Sequence, residues 1–192
     1  MPARIIGANL RDISYVLANL RPDDRREIEA QWPGPFDLIG IAATALASTH
    51  AYVVLLDGNP EAAFGADEVR RGLWVAWSWG TPRMRRAVPH ISRFVREVML
   101  PDVLERGGQR VEARPMDGHR MACRWLEKMG ARFSGYARCW GVNGEDFLTY
   151  AWTRRDFEHV LSGTVRRWGE AGGGADGAHT ADAADRQRDR AA

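Results

Sequence analysis

Residues 109–133, QRVEARPMDGHRMACRWLEKMGARF, place a strand, a turn and an amphipathic helix in immediate succession. Val111 and Ala113 alternate with Arg110, Glu112 and Arg114, the two-residue period of a strand, and Pro115 closes the run. From Gly118 the spacing changes. Met121, Ala122, Trp125, Leu126 and Met129 recur at helical intervals and predict one buried stripe. Asp117 is the expected N-cap, and Gly130 the expected left-handed residue that stops the helix.

Upstream of this unit, Met84, Val88, Ile91, Phe94, Val95, Val98 and Met99 predict the apolar face of another helix. Pro89 and Pro101 are expected to mark its start and its kink or end. Before it lie three extended runs, 51–56, 61–66 and 73–79, the first two joined across Asp57-Gly58-Asn59-Pro60, which predict an antiparallel meander. On the third run Trp74 faces one side and Trp77 and Trp79 the other; core packing is the expected use of these rings. Further back, 3–9 reads as a strand, and Asp12 is the expected cap of a helix whose Ile13, Val16, Leu17 and Leu20 share a face. Pro22 starts the next helix, with Asp23 and Asp24 complementing its positive end. Residues 36–48 are apolar almost all round, which predicts a helix buried on more than one side.

Downstream, 132–140 and 147–153 flank Asn143-Gly144, a strong hairpin signal. Phe157, Val160, Leu161, Val165 and Trp168 predict a last amphipathic segment. Residues 169–192 hold no aromatic or branched aliphatic side chain and are expected to be a disordered tail, because they cannot bury enough surface to offset chain entropy. The division is therefore one domain over 1–168 and a tail over 169–192.

The chain has 192 residues, 45% of them hydrophobic and 27% charged, which suits one soluble domain with a proper core. Its 27 basic and 25 acidic residues give a net charge of +2, so no global field draws it to nucleic acid, and no nucleic-acid partner is predicted. No apolar run approaches the ~20 residues of a membrane span, and MPARIIGANLRD lacks the apolar region of a signal peptide. The expectation is a chain kept in the cytoplasm. Cys123 and Cys139 have no spacing that suits zinc; they are expected to be reduced core thiols, and no metal is predicted. Walker, Rossmann, nucleophile-elbow and HExxH patterns are absent.

The element order β-α-α-β-β-β-α-β-α-β-β, over roughly residues 3–153, resembles that of the GNAT N-acetyltransferase superfamily. That family implies an α+β fold in which a mixed, mostly antiparallel sheet of about six or seven strands has helices on both faces. The most specific likeness is again 109–133. It resembles the GNAT run in which an Asn after the fifth strand precedes an alanine, a Leu-Tyr pair and a Gly-Phe stop; here those places hold His119, Ala122, Trp125-Leu126, Glu127-Lys128 and Gly130-Ala131. This segment and RDISYVLANLRPDDRREIEA (11–30) also look like the small GNAT-type internal virion ("gene 13") proteins of short-tailed phages. The resemblance implies either an acyltransferase that moves an acetyl or acyl group from acyl-coenzyme A to an amine, or a phage or prophage module with a degenerate acyl-coenzyme A site. The second is the favoured expectation, with phage structural or assembly proteins as partners and a location in the host cytoplasm or packaged in a virion.

Acyl transfer requires a phosphate-holding helix start, a base for the amine and an acid for the thiolate. The resemblance places the first after Trp79, where Gly80, Thr81, Arg83, Arg85 and Arg86 are the candidates for holding acetyl-coenzyme A or another acyl-coenzyme A. There is no second glycine, and Pro82 and Pro89 remove N–H donors, so the guanidinium groups would substitute for missing amides; the competing expectation is a solvated basic helix start. Glu112 and His119 are the candidate catalytic bases, with His50, at the end of the 36–48 helix, and Glu68, in the turn before the third meander strand, as weaker ones. In the family's Tyr position stands Leu126, which cannot protonate a thiolate; Tyr136 and Cys139 are alternatives, with core packing as their ordinary use.

Overall fold

A computed structural model of the chain describes residues 3–161. The elements are β1 (Arg4–Gly7), α1 (Leu10–Ala18), α2 (Pro22–Gln31), α3 (Leu38–Leu46), β2 (His50–Leu56), β3 (Asn59–Arg70), β4 (Leu73–Gly80) and α4 (Met84–Phe94). A π-helical segment (Val95–Met99), α5 (Leu100–Glu105), β5 (Arg110–Ala113), α6 (Arg120–Lys128), β6 (Arg132–Ala137), β7 (Phe147–Thr153) and α7 (Arg154–Leu161) follow. The strands form one mixed sheet of order β1-β2-β3-β4-β5-β7-β6, antiparallel throughout except for β4 beside β5. The α+β arrangement expected from the sequence is the one observed.

Strand alternation divides the apolar side chains between two cores. Val54, Phe64, Trp74 and Val111 pack with Met84, Ile91 and Met99 of the α4–α5 run and with Leu126 and Met129 of α6. Val53 and Ala63 point the other way and meet Ile13, Val16 and Leu17 of α1, Ile28 of α2 and Ile41 of α3. Trp74 is fully buried, whereas Trp77 and Trp79 lie half-buried with the second core, as the two-residue period requires.

The 109–133 unit forms as a strand and a helix, but its ends differ from expectation. His119, not Asp117, is the N-cap of α6, and it makes no side-chain cap bond. At the other end Gly130 has φ of 86°, with its N–H on the Glu127 carbonyl and the Ala131 N–H on the Leu126 carbonyl, the paired closure of a Schellman motif. Met121 is exposed; the helix turns Leu126 and Met129 inward most deeply, so the buried stripe is narrower than predicted.

Other expectations are corrected in the same way. Asn9 caps α1 by accepting the Asp12 N–H at 3.0 Å, so Asp12 lies inside the first turn. α3 buries only Ile41, Ala42 and Ala45 and leaves Ile39 exposed; its apolar character exceeds its packing. Met84 starts α4, placing Pro89 inside the helix. Near Pro101 the ladder widens to the π form, with the Leu100 N–H reaching the Val95 carbonyl, and the run continues as α5 with Val98 left exposed. Proline has no N–H to give and its ring crowds the carbonyl four residues back, which a one-residue slip relieves. Asp57 and Gly58, with φ of 53° and 84°, form the β2–β3 turn, so Asn59 and Pro60 already belong to β3. Asn143-Gly144 is not a two-residue hairpin turn: β6 ends at Ala137 and β7 starts at Phe147, and the intervening loop is held to α2 by the Val142 N–H on the Ala30 carbonyl. Phe157 anchors α7 in the first core; the side chains of Val160 and Leu161, residues Val165 and Trp168, and the expected tail over 169–192 lie outside the described residues.

Candidate functional site

β4 and β5 run side by side only over Leu73, Trp74 and Val75 against Arg110, Val111 and Glu112. Beyond that point Ala76–Gly80 pairs with β3 alone, and Ala113 pairs with β7 alone, so the two strands part and leave facing backbone edges without strand partners. A cavity of about 350 Å³ fills the parting. Trp77, Ser78 and Trp79 line one side of it, Ala113, Arg114 and Pro115 the other, and α2 and the head of α6 border it with Glu27 and His119.

The loop after β4 was expected to hold phosphate. In the fold its groups are turned to one another. The Gly80 N–H donates to Asp24 Oδ2 at 2.8 Å, and the Gly80 carbonyl accepts from the Arg21 N–H at 2.9 Å. Thr81 is buried; its N–H donates to the Glu61 carbonyl and its hydroxyl to the Glu61 carboxylate. The Arg83 N–H donates to Thr81 Oγ1, the Met84 N–H to the Thr81 carbonyl and the Arg86 N–H to the Arg83 carbonyl. Nor is the Arg83 guanidinium a free substitute: it bridges Glu61 and Asp57, each at 2.8 Å, and holds the Asp57 carboxyl below its ordinary range. Arg86 stands 3.7 Å from Asp57, and both Arg85 and Arg86 are exposed.

Of the two candidate bases, only His119 borders the cavity. Glu112 extends from the opposite face of β5 to Val111 and Ala113, between Arg110 at 2.6 Å and Arg114 at 2.7 Å. Burial pushes its carboxyl up, but the two guanidinium groups outweigh this and hold it below the ordinary carboxylate range. It is a strand-face ion pair rather than a base. His119 is only 3% exposed, and its Nδ1 lies 2.9 Å from Glu27 Oε2, which also accepts the Met116 N–H at 2.9 Å. Because a carboxylate only accepts, Nδ1 is the ring nitrogen that donates to Glu27. Nε2 has no hydrogen-bond partner and stands 3.5 Å from Asp24 Oδ1, among the described residues its nearest ionic neighbour.

Asp24 and Glu27 are the site residues that sequence reasoning missed. Both come from the first two turns of α2, where acidic residues ordinarily complement the helix dipole. Asp24 is buried instead, and burial raises its pKa against the opposing pull of Arg21, whose Nε lies 2.8 Å away but is not aligned for a hydrogen bond. Only the three-residue spacing Arg21, Asp24, Glu27, one polar stripe on a short helix, hinted at an inward polar face.

The weaker candidates lie elsewhere. His50 starts β2 rather than ending a helix, and its Nε2 is 3.0 Å from Asp102 Oδ2; burial pulls its pKa down. Glu68 lies within β3, accepting the Gly72 N–H at 2.6 Å. Tyr136, on the edge strand β6, and Cys139, just after it, are exposed and away from both the core and the cleft; Cys123 is half-buried, and both thiols are free. Leu126 is buried against the cleft and supplies no proton. Tyr150, a tyrosine that sequence reasoning did not consider, donates its hydroxyl to Glu127 at 2.9 Å; burial, with that bond, pushes its pKa well up and makes it a poor acid. Among the described residues no His, Cys, Asp and Glu cluster is placed to hold a metal, and no helix is long and apolar enough to cross a membrane.

No protein-family model matches the sequence, and no curated protein matches it. Solved structures do share the fold. A GNAT-family protein from Chromobacterium violaceum ATCC 12472 superposes with a TM-score of 0.63 at 16% identity, over 81% of this chain and 90% of that one. A GNAT-family acetyltransferase from Bacillus anthracis gives 0.61 at 15%, over 80% and 95%. The protein yncA from Salmonella typhimurium, solved with its cofactor acetyl-CoA, gives 0.60 at 13%, over 79% and 93%. The fold is therefore that of the GNAT acetyltransferases.

Proposed function

We propose that this chain is a GNAT-type N-acyltransferase that takes an acyl group from acyl-coenzyme A and gives it to an amine, with His119 as the proton acceptor. One observation carries the reading: the β4–β5 parting is open, and a buried histidine with an unpartnered Nε2 and an oriented Nδ1 stands at its wall. An assembly module with no ligand would gain by filling this volume with side chains, since voids cost packing energy.

The site fits acyl-coenzyme A in part. The β4 edge over Ala76–Trp79, which has no strand partner on the cleft side, offers N–H and C=O groups to the amides of an extended pantetheine arm, in the manner of an added strand. For the diphosphate, the committed amides of Gly80, Thr81, Arg83 and Met84 leave the exposed Arg85 and Arg86 side chains as the cationic groups at the start of α4. The bound thioester would supply the carbonyl under attack. His119 takes one proton from the ammonium so that its nitrogen can form the new C–N bond; as the C–S bond breaks, the second surplus proton on nitrogen leaves with the thiol. No separate acid is then required, which suits Leu126 in the usual Tyr position. Glu27 accepts from Nδ1 and so orients the ring, and Asp24 Oδ1 stands 3.5 Å from Nε2.

Calorimetric titration with acetyl-coenzyme A is the test. The expected result is micromolar binding that weakens in Arg85→Ala and Arg86→Ala, together with amine-dependent release of free thiol. No heat at millimolar ligand would sink the reading. A second reading, a phage or prophage assembly module with a degenerate acyl-coenzyme A site, is favoured by the committed loop amides. It predicts no acetyl-coenzyme A binding, and recovery of the chain in purified virions.

A further inference from the structure

We propose that the acceptor is a small primary amine carried on an apolar, preferably aromatic, body, bound on the side of the cleft walled by α2, α3 and the outer half of β4. The inference rests on the acyl-transfer reading and specifies its second substrate. The ionisable side chains that line the cleft are Arg21, Glu27, Arg114 and His119. Arg21 stands against Asp24, and Arg114 is bonded to Glu112 and stacked over Trp140 with its guanidinium 4.6 Å from the ring centre. Glu27 has no arginine or lysine among its bonded partners: its Oε2 accepts the His119 Nδ1–H and the Met116 N–H. The cleft wall therefore carries a carboxylate whose charge no arginine answers, in a place where burial makes an unanswered charge costly. An entering ammonium ion answers it.

His119 Nε2 points to the same occupant. It is a buried ring nitrogen with no hydrogen-bond partner, 3.5 Å from Asp24 Oδ1. An ammonium held at Glu27 would stand beside the ring that carries this nitrogen, and a proton from it is the donor that Nε2 lacks. The rest of the wall selects the body that carries the charge. Trp77 and Trp79 stack with ring centres 4.5 Å apart, Trp77 is fixed by its Nε1–H on Ser48 Oγ at 3.1 Å, and Trp32 and Ile28 continue the apolar surface. Indole faces attract cations and apolar rings alike. At about 350 Å³ the cavity lies near the low end of the roughly 300–1,000 Å³ common to small-molecule sites, which suits a compact amine rather than a folded protein segment.

The test uses the full chain, with and without coenzyme A, and three probes: phenethylamine, 2-phenylethanol and ethylamine. Phenethylamine is expected to bind about tenfold or more tightly than either relative, since charge and ring each contribute on the order of one tenfold step. Glu27→Gln keeps an oxygen for Met116 and His119 but removes the charge. It is expected to weaken phenethylamine by about tenfold and leave 2-phenylethanol unchanged. Equal affinities of the native chain for phenethylamine and 2-phenylethanol overturn the inference even if the variant misfolds. That result beside tight acetyl-coenzyme A binding leaves acyl transfer standing, whereas absence of acetyl-coenzyme A binding removes acyl transfer itself.

Discussion

The loop after β4 and the head of α6 both meet the cleft, yet they treat their polar groups in opposite ways. In the loop, Gly80, Thr81, Arg83 and Met84 close every N–H named above onto Asp24, Glu61 or one another. At the head of α6, His119 is as deeply buried as Thr81 but leaves one ring nitrogen without a partner. Burial alone thus does not mark a functional group. A satisfied buried network holds structure in place, whereas an unsatisfied acceptor in a cavity wall is a cost that a ligand relieves.

The contrast can be broken by substitution. His119→Gln is expected to lower amine-dependent thiol release by roughly 10²–10⁴-fold while the urea midpoint hardly moves; retention of the native rate would remove His119 from the chemistry. Asp24→Ala should act on the other side of the contrast, because it strands the Gly80 N–H and leaves Arg21 without its carboxylate. A loss of about 3 kcal/mol in urea unfolding is expected. Arg83→Ala separates the arginines of the α4 start. It should cost about 1 kcal/mol, since that side chain is partly exposed, and leave acetyl-coenzyme A affinity within about twofold; a large loss of affinity would put Arg83 on the ligand.

The smallest effect is expected at Glu112. Its folded carboxyl is held below the ordinary value, so its contribution is complete above the unfolded carboxylate range and is lost as pH falls through the lower folded value. Urea midpoints of the native chain and Glu112→Gln should differ by about 1 kcal/mol or less at neutral pH and converge in acid. A gap that persists in acid would mean that the pairing with Arg110 and Arg114 is not its source.

Most of the fold was legible because its signals are local. The stripe ending at Met129, the Gly130 stop, Pro22 at the first position of α2 and the alternation around Trp74 each need only a few neighbouring residues to be read. The misreadings came where a distant partner overruled a local preference. Asn143-Gly144 gave way to a longer loop docked on Ala30, and Asp117, whose N–H is bound to the distant Asp146 carbonyl, stands two residues before the observed cap of α6. The same holds for the site. The place of His119 at the head of α6 was legible, but Asp24 and Glu27, which face it, lie about ninety positions earlier, and nothing local distinguishes an acidic residue facing the dipole from one facing a cleft. Glu112 misled for the converse reason: its position on β5 is right, and its face is wrong.

The parting of β4 from β5 has one further consequence. An unpaired strand edge on the outside of a protein is a template for pairing with other chains and a common start of aggregation. Here the edge of Ala76–Trp79, without a strand partner on the cleft side, lies between strands of its own sheet and is bordered by α2 and α6. The fold thus holds an adhesive edge inside a cleft, where its own strands and helices stand between that edge and neighbouring molecules.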